Sequence, residues 1–324
     1  MLCTLLFPHL LLSGARLNKI PALLPFPQKV VWNGSQYKLP TNENWLVQRI
    51  STKLPGIEMN EEEAYSLVIS KDSAVLTAIT PKGIFRGLQT VRQLIFDENG
   101  ERYVAGCSIT DWPAFTIRGF MQDVGRNYMP ISLLKEQIDV MAAYKFNLFH
   151  FHVTDNPGWR LESKIYPQLG SAASMSRWPG KFYTQEEFQD LVQYCSDRYI
   201  TLVPEFDIPG HCEAFRKAFS LDSMSDPRVQ PILLDLIDEL CSLVSPEKMP
   251  WLHLGTDEVW QKHEKSAPGL LSALIERAKA NGRKVVVWRP GQQTANDSST
   301  ITQLWSSGGT PRKGHPYLDS RLIT

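Results

Sequence analysis

The feature that most constrains this chain is a rhythm that begins after Asp111-Trp112-Pro113. Short β-rich apolar runs alternate with longer stretches whose apolar residues recur at helical spacing. The pattern predicts strands over 117–124, 146–154, 200–205, 251–254, 284–288 and 300–305, with helices over 131–144, 185–198, 231–244 and 270–280 between them. Strands alternating with helices mean parallel βα units, either closed as a barrel or left as an open sheet. Polar residues choose between the two. Asp155, Glu205, Asp207, Asp257, Glu258 and Trp288 all fall where a predicted strand ends. A single such carboxylate is explained as the N-cap of the next helix. Recurrence after strand upon strand points instead to a (β/α)8 TIM barrel, whose strand C-termini jointly build the active site.

Six strands are clear, and His315 to Thr324 could start a seventh. The expected fold class is therefore α/β, a (β/α)8 barrel incomplete at its C-terminus. The chain is read as a piece lacking its last units, with open sheet edges. Ahead of the barrel domain (111–324), residues 23–110 read as a small α+β domain. Ser66–Ser70 and Ala74–Thr80 form a hairpin around Lys71-Asp72-Ser73. A helix over 83–96 carries Ile84, Leu88, Val91 and Ile95 on one face, and a strand follows over 103–109. Residues 1–15 are leucine-rich and end in Ser13-Gly14-Ala15, which reads as a secretory signal. That reading places the protein outside the cell or in a periplasmic or lumenal space. The run is too short for an ordinary membrane span, and no other segment is apolar enough for one.

Lysine plus arginine equal aspartate plus glutamate at 34 each. No long-range field favours nucleic acid or an anionic membrane, so a neutral substrate fits best. No G-x-G-x-x-G or P-loop opens a helix, which argues against a nucleotide cofactor. The five cysteines are scattered without a C-x-x-C pair, and buried free thiols are the expectation. Cys212 follows His211, but sequence neighbours usually point apart, so a Cys–His nucleophile is disfavoured.

The sharpest local signal is His253-Leu254-Gly255-Thr256-Asp257-Glu258. Two adjacent carboxylates leave a buried strand at its C-terminal end. Neighbouring carboxylates disfavour double ionisation, so one pKa should rise, and a protonated carboxyl can act as general acid. Alone, such a pair is as easily a solvated loop. Its context is Arg118-Gly119-Phe120-Met121-Gln122-Asp123-Val124-Gly125-Arg126 on the first barrel strand, His150-Phe151-His152-Val153-Thr154-Asp155-Asn156-Pro157-Gly158-Trp159-Arg160 at the second, and Pro204-Glu205-Phe206-Asp207-Ile208-Pro209-Gly210-His211 at the third. His150 and His152 face the same side of their strand, and an H-x-H pair inside a barrel can bind metal. The alternative function is therefore a metal-dependent barrel hydrolase using His150, His152 and His211. A third reading is an inactive carbohydrate-binding fragment.

Together these ordered motifs resemble the family 20 glycoside hydrolases, the β-N-acetylhexosaminidases, from about Leu24 to the last residue. Pro25-Phe26-Pro27-Gln28 and the Gly83–Leu94 stretch look like that family's small domain before the barrel. The resemblance implies exo-acting hydrolysis of terminal β-linked N-acetylhexosamine from a glycan, without metal or cofactor, with the substrate's 2-acetamido group as nucleophile. By the same resemblance Asp257 orients that group and Glu258 is the acid and base. Arg118 grips the outer hydroxyls, and Trp288 and Trp305 wall the acetamido pocket. Asp155, His211 and Asp207 support the carboxylates, with Glu205 and His253 beside them. The sequence departs from the family at Asn127, Asn156-Pro157 and Arg289, and the family's acetamido-binding tyrosine has no match up to Thr324.

Overall fold

The computed structural model describes residues 21–40, 45–57, 59–259, 266–291, 300–311 and 313–321. The stretch read as a leader, 1–15, lies outside the described residues. The chain divides into two compact units, Met1–Thr116 and Ile117–Thr324.

The first unit is a six-stranded sheet with one helix. Its strands are β1 (Lys29–Lys38), β2 (Val47–Ile50), β3 (Tyr65–Ile69), β4 (Ala74–Ala78), β5 (Ile95–Glu98) and β6 (Glu101–Asp111). They run in the order β1-β6-β3-β4-β2, with β5 added on β6. The expected hairpin is β3–β4, closed by Ser70 N–H donating to the Ser73 carbonyl at 2.8 Å. Helix α1 (Pro81–Leu94) starts where the Thr80 hydroxyl accepts from Gly83 N–H. Its apolar face, with Leu88, Val91 and Leu94, packs into the core formed by Leu67, Ile69, Leu76 and Ile109. The helix expected over 83–96 ends at Leu94, where Ile95 opens β5, and the sequence pattern did not announce β1, β2 or β5. In β1 the alternation breaks at a register shift between Trp32 and Gln36, and β2 is exposed along its whole length.

The second unit is built on seven parallel strands among the described residues: β7 (Gly119–Asp123), β8 (Leu148–His152), β11 (Thr201–Glu205), β12 (Trp251–His253), β13 (Lys284–Arg289), β14 (Ile301–Leu304) and β15 (Tyr317–Asp319), in that spatial order. The small strands β9 (Thr154–Asp155) and β10 (Gly158–Trp159) form a separate ribbon after β8. Helices α2 (Ile131–Ala143), α3 (Gln185–Ser196), α5 (Val229–Leu243) and α6 (Leu270–Ala280) alternate with the strands, and the short α4 (Glu213–Ala218) precedes α5. A capping box of Thr184 and Glu187 sets the start of α3. The seventh strand, β15, falls inside the predicted His315–Thr324 stretch and pairs parallel with β14. With β7 and β15 at its two edges, this sheet with its helices is an incomplete (β/α)8 barrel. The described cysteines, Cys107, Cys195, Cys212 and Cys241, are buried and free. Among the described residues no helix is long and apolar enough to cross a membrane.

Register positions the chemistry. Parallel pairing puts Asp123, His152, Glu205 and His253 at one level across four neighbouring strands, with His150 one inward-facing step below. Residues two apart on a strand face the same side, so His150 and His152 point together. Trp288 lies two residues beyond Val286, which is level with His253.

Candidate active site

Glu205 is the hub of this level. It is fully buried, yet its carboxylate is crowded with donors. Oε2 accepts from His150 Nε2 at 2.7 Å and from His152 Nδ1 at 2.5 Å. Oε1 accepts from Trp288 Nε1 at 2.7 Å. Burial pushes the Glu205 carboxyl up, but His152, His253 and His150 outweigh it and hold it well below the ordinary range. His253 stacks on His150, with ring centroids 4.6 Å apart, and its Nδ1 accepts from Gly255 N–H at 2.9 Å. Burial pushes its pKa down to about 4, so this ring is neutral near pH 7.

An alternating line of charge leaves Glu205. His152 reaches Asp155 through Nε2 at 3.1 Å. Burial works against a charge on His152, but Glu205 and Asp155 raise its pKa well above the usual imidazole range. Asp155 in turn receives Arg126 Nη2 at 2.8 Å, and Arg126 also pairs with Asp123 at 2.6 Å. Each buried charge therefore has an opposite neighbour, the condition under which charges persist away from water.

His211 stands between this line and the Asp257–Glu258 pair. Its Nδ1 is 3.6 Å from Asp155 and 3.4 Å from both Arg126 Nη2 and Asn156 Nδ2. Its Nε2 is 3.3 Å from Glu258 and 3.8 Å from Asp257. The backbone is left-handed at His211 (φ 52°), Thr256 (φ 89°) and Glu258 (φ 49°). Such conformations cost free energy in non-glycine residues and cluster at functional sites. Two glycines let the loops approach. A Cβ on Gly255 would lie 1.9 Å from Asp207 Oδ1, and one on Gly210 would lie 2.5 Å from the Asp257 carbonyl.

The adjacent carboxylates sit in different surroundings. Asp257 stands beside Asp207, and one oxygen of each carboxyl is buried without a hydrogen-bond partner. Burial and then the Asp257 and Glu205 charges raise the Asp207 pKa well above the carboxylate range. Burial and then the Glu205 charge likewise raise Asp257, while His211 pulls it back. Glu258 has its side chain 44% exposed, at the mouth of the site beside His211.

The structure thus brings together Asp155, Glu205, Asp207, His211, His253, Asp257, Glu258 and Trp288. Trp305 is half-buried, its Nε1 donating to the Pro290 carbonyl at 2.8 Å. Arg118 immediately precedes β7, at the opposite end of the sheet, where its Nε donates to the Lys145 carbonyl at 2.9 Å. The histidines of the metal alternative are divided: His150 and His152 converge on Glu205, whereas His211 groups with Asp155 and Asp207. Residue reasoning overlooked Arg126, which pairs with two of the carboxylates, and Arg160, which is completely buried and donates to carbonyls of Val124, Gly125, Arg177, Trp178 and Lys181. Both arginines lie inside the quoted motifs, but nothing in a linear pattern shows their partners.

Comparison with known proteins agrees with this architecture. The sequence profile for the glycosyl hydrolase family 20 catalytic domain matches residues 115–231, and that for domain 2 of the same family matches residues 42–112. A beta-N-acetylhexosaminidase of Cellulomonas fimi is 30% identical over 290 residues, which is 81% of this chain and 56% of that protein. A beta-hexosaminidase of Porphyromonas gingivalis is 33% identical over 257 residues, 69% of this chain and 32% of that protein. The solved structure of a Flavobacterium johnsoniae chitobiase superposes with a TM-score of 0.78 at 25% identity, over 92% of this chain and 59% of that one. The chain therefore spans between about a third and just over half the length of these curated relatives. With both profiles in sequence order and the same fold beneath them, the chain belongs to glycosyl hydrolase family 20.

Proposed function

We propose that this chain carries the catalytic centre of an exo-acting β-N-acetylhexosaminidase, which removes terminal β-linked N-acetylglucosamine or N-acetylgalactosamine from glycans with retention of configuration. The observation that carries the reading is the division of the Asp257–Glu258 pair. The Asp257 side chain is 17% exposed and set beside the buried Asp207, whereas that of Glu258 is 44% exposed beside His211. Pairs of titratable groups in contrasting environments take different roles.

In this reading the substrate's acetamido oxygen attacks the anomeric carbon, and Glu258 gives its proton to the departing glycosidic oxygen. Positive charge spreads over the resulting oxazolinium ring. Asp257 accepts from the acetamido N–H and steadies that charge, with Asp207 beside it. Water then attacks the anomeric carbon from the opposite face, Glu258 takes up its proton, and the acetamido group is restored. Two inversions give net retention. This differs from the two-carboxylate retaining scheme, in which an enzyme carboxylate is the nucleophile. Trp288, fixed by Glu205, supplies a rigid wall for the acetamido pocket. Trp305 is assigned its sugar contact from the family resemblance, whereas Arg118, expected to grip the outer hydroxyls, lies at the other end of the sheet and is given no role here.

The test is hydrolysis of p-nitrophenyl glycosides. The β-N-acetylglucosaminide or β-N-acetylgalactosaminide should be cleaved and the plain β-glucoside, which lacks the internal nucleophile, should not. Equal turnover of the two would exclude substrate assistance.

A further inference from the structure

We propose that Glu205 is a positioning residue for this site, a single buried anion that clamps the Trp288 indole with one carboxylate oxygen and the His152 imidazole with the other. Its link to catalysis rests on the reading above. The clamp itself rests on geometry alone.

Glu205 cannot act on substrate directly. It is fully buried, and Trp288 Nε1, His150 Nε2 and His152 Nδ1 all donate to it at 2.5–2.7 Å. His253 Nδ1 closes the remaining side at 3.2 Å. What the site demands is an acceptor without donors, because several N–H groups converge on one point. Only an ionised carboxylate meets that demand. A glutamine would still accept from Trp288 with its carbonyl, but its NH₂ would face two imidazole N–H groups. His152 would then have to present a bare Nδ1 and give up its positive charge.

That charge matters at the next step outward. His152 is the cation between Glu205 and Asp155, and Asp155 is the anion that holds Arg126 and lies beside His211. Other charged groups face the cluster. Asp123 is 4.0 Å from His152 Nε2, and the field of Asp207 also acts on His152. Asp257 and Asp207 feel Glu205 in turn. All of these are acidic, so none replaces Glu205 as an internal partner without adding repulsion elsewhere. The pocket wall and the Asp155–His211 side of the site are thereby set by one residue that touches neither substrate nor reacting atoms.

The arrangement separates two variants. Glu205→Gln preserves the Trp288 acceptor and breaks the His152 clamp. Trp288→Phe preserves the His152 bond to Glu205 and loosens the wall. For Glu205→Gln, KM should stay within about threefold of wild type, while kcat falls and acquires a new alkaline limb. Activity should drop roughly tenfold per pH unit once His152 loses its proton. For Trp288→Phe the loss should lie mainly in KM, with the pH profile unchanged.

A measurement independent of activity completes the test: ¹⁵N-histidine NMR of the 324-residue chain. In wild type, His152 should remain doubly protonated through pH 8, and in Glu205→Gln it should lose that proton near neutrality. The wild-type spectrum keeps the test decisive even if Glu205→Gln does not fold. A wild-type His152 that titrates like a solvent-exposed histidine overturns the proposal, as does a Glu205→Gln variant whose loss is uniform across pH. Should NMR show the clamp while no N-acetylhexosaminide is cleaved, the proposed reaction fails and the clamp stands.

Discussion

Asp207 and Asp257 are neighbouring carboxyls, each with one buried oxygen that no donor meets, although they come from loops after different strands. Burial raises both, and each carboxyl is raised further by the anionic charge of Glu205. The sign of the stability effect follows. An aspartate in the unfolded chain titrates near pH ~3.9, whereas folded Asp207 keeps its proton well above that. The native state therefore binds the proton more tightly. The stability this supplies is fully present below about pH 3.9 and is lost as pH rises toward the folded pKa, by at most about 1.4 kcal/mol per pH unit. Asp207→Asn keeps a donor and has nothing to ionise. Its melting temperature relative to wild type should climb steadily between pH 4 and pH 8. A difference that stays flat would mean that Asp207 is ionised in the native protein.

Asp257 and Glu258 should fail in different ways. In the proposed reaction Glu258→Gln removes the proton donor, so it should harm substrates with poor leaving groups most. General acid catalysis is worth roughly 10²–10⁴-fold, and most of that should be lost on a natural disaccharide and little on an activated aryl glycoside. Asp257→Asn, which in the same proposal acts on the nucleophile, should slow every substrate by about 10²–10³-fold, the usual worth of one preorganised contact to developing charge. The comparison needs only kcat/KM for the two substrate types with each variant. If both variants lose the same factor on both, the separate roles are wrong.

Most of the barrel was legible because its central strands are short, buried and rich in aromatic and β-branched residues, such as Leu148–His152 and residues 285–288, with helical spacing between them. The site was legible because carboxylates at the ends of such runs have no packing reason to be there. What escaped was whatever lacks local periodicity. Strand β2 has no buried residue to produce an alternation, and β1 changes register at Asn33–Ser35. Partners escaped too. His150 and His152 were rightly seen to face one side, but spacing alone cannot tell a metal site from a carboxylate clamp. What spacing lacks is the partner, which the parallel register supplies by setting Glu205 opposite His152.

The same register bears on metal dependence. His150, His152 and His211 do not converge on one point, and the inner pair already donates to Glu205 at 2.7 and 2.5 Å. A cation at that point would have to displace those protons, including one held well above the usual imidazole range. Dialysis against EDTA should therefore leave both activity and melting temperature unchanged. Loss of either, recovered on adding zinc, would support the metal hydrolase.

Arg160 makes the last prediction, about stability rather than chemistry. It is completely buried, and its guanidinium fork donates to the carbonyls of Val124 and Gly125 after β7 and of Arg177, Trp178 and Lys181 in the loop before α3. That loop is tied onward to Pro157 through Ser176 N–H and to Asn127 through the Arg177 side chain. Asn156, next to Pro157, contacts His211. Arg160 thus fixes irregular backbone that no ladder of strand bonds supports. Lysine keeps the charge but offers a point donor in place of a planar fork, so several carbonyls would lose their partners. Each buried group left unsatisfied costs about 1–3 kcal/mol, and some carbonyls would find water. Arg160→Lys should destabilise by about 2–4 kcal/mol, a fall of roughly 5–15 °C in melting temperature for a unit of this size. Hydrogen exchange should quicken first at residues 175–181, ahead of the strands, because local opening begins where backbone bonds depend on one side chain. A variant that melts with wild type and keeps those amides protected would show that the loop is held by something other than Arg160.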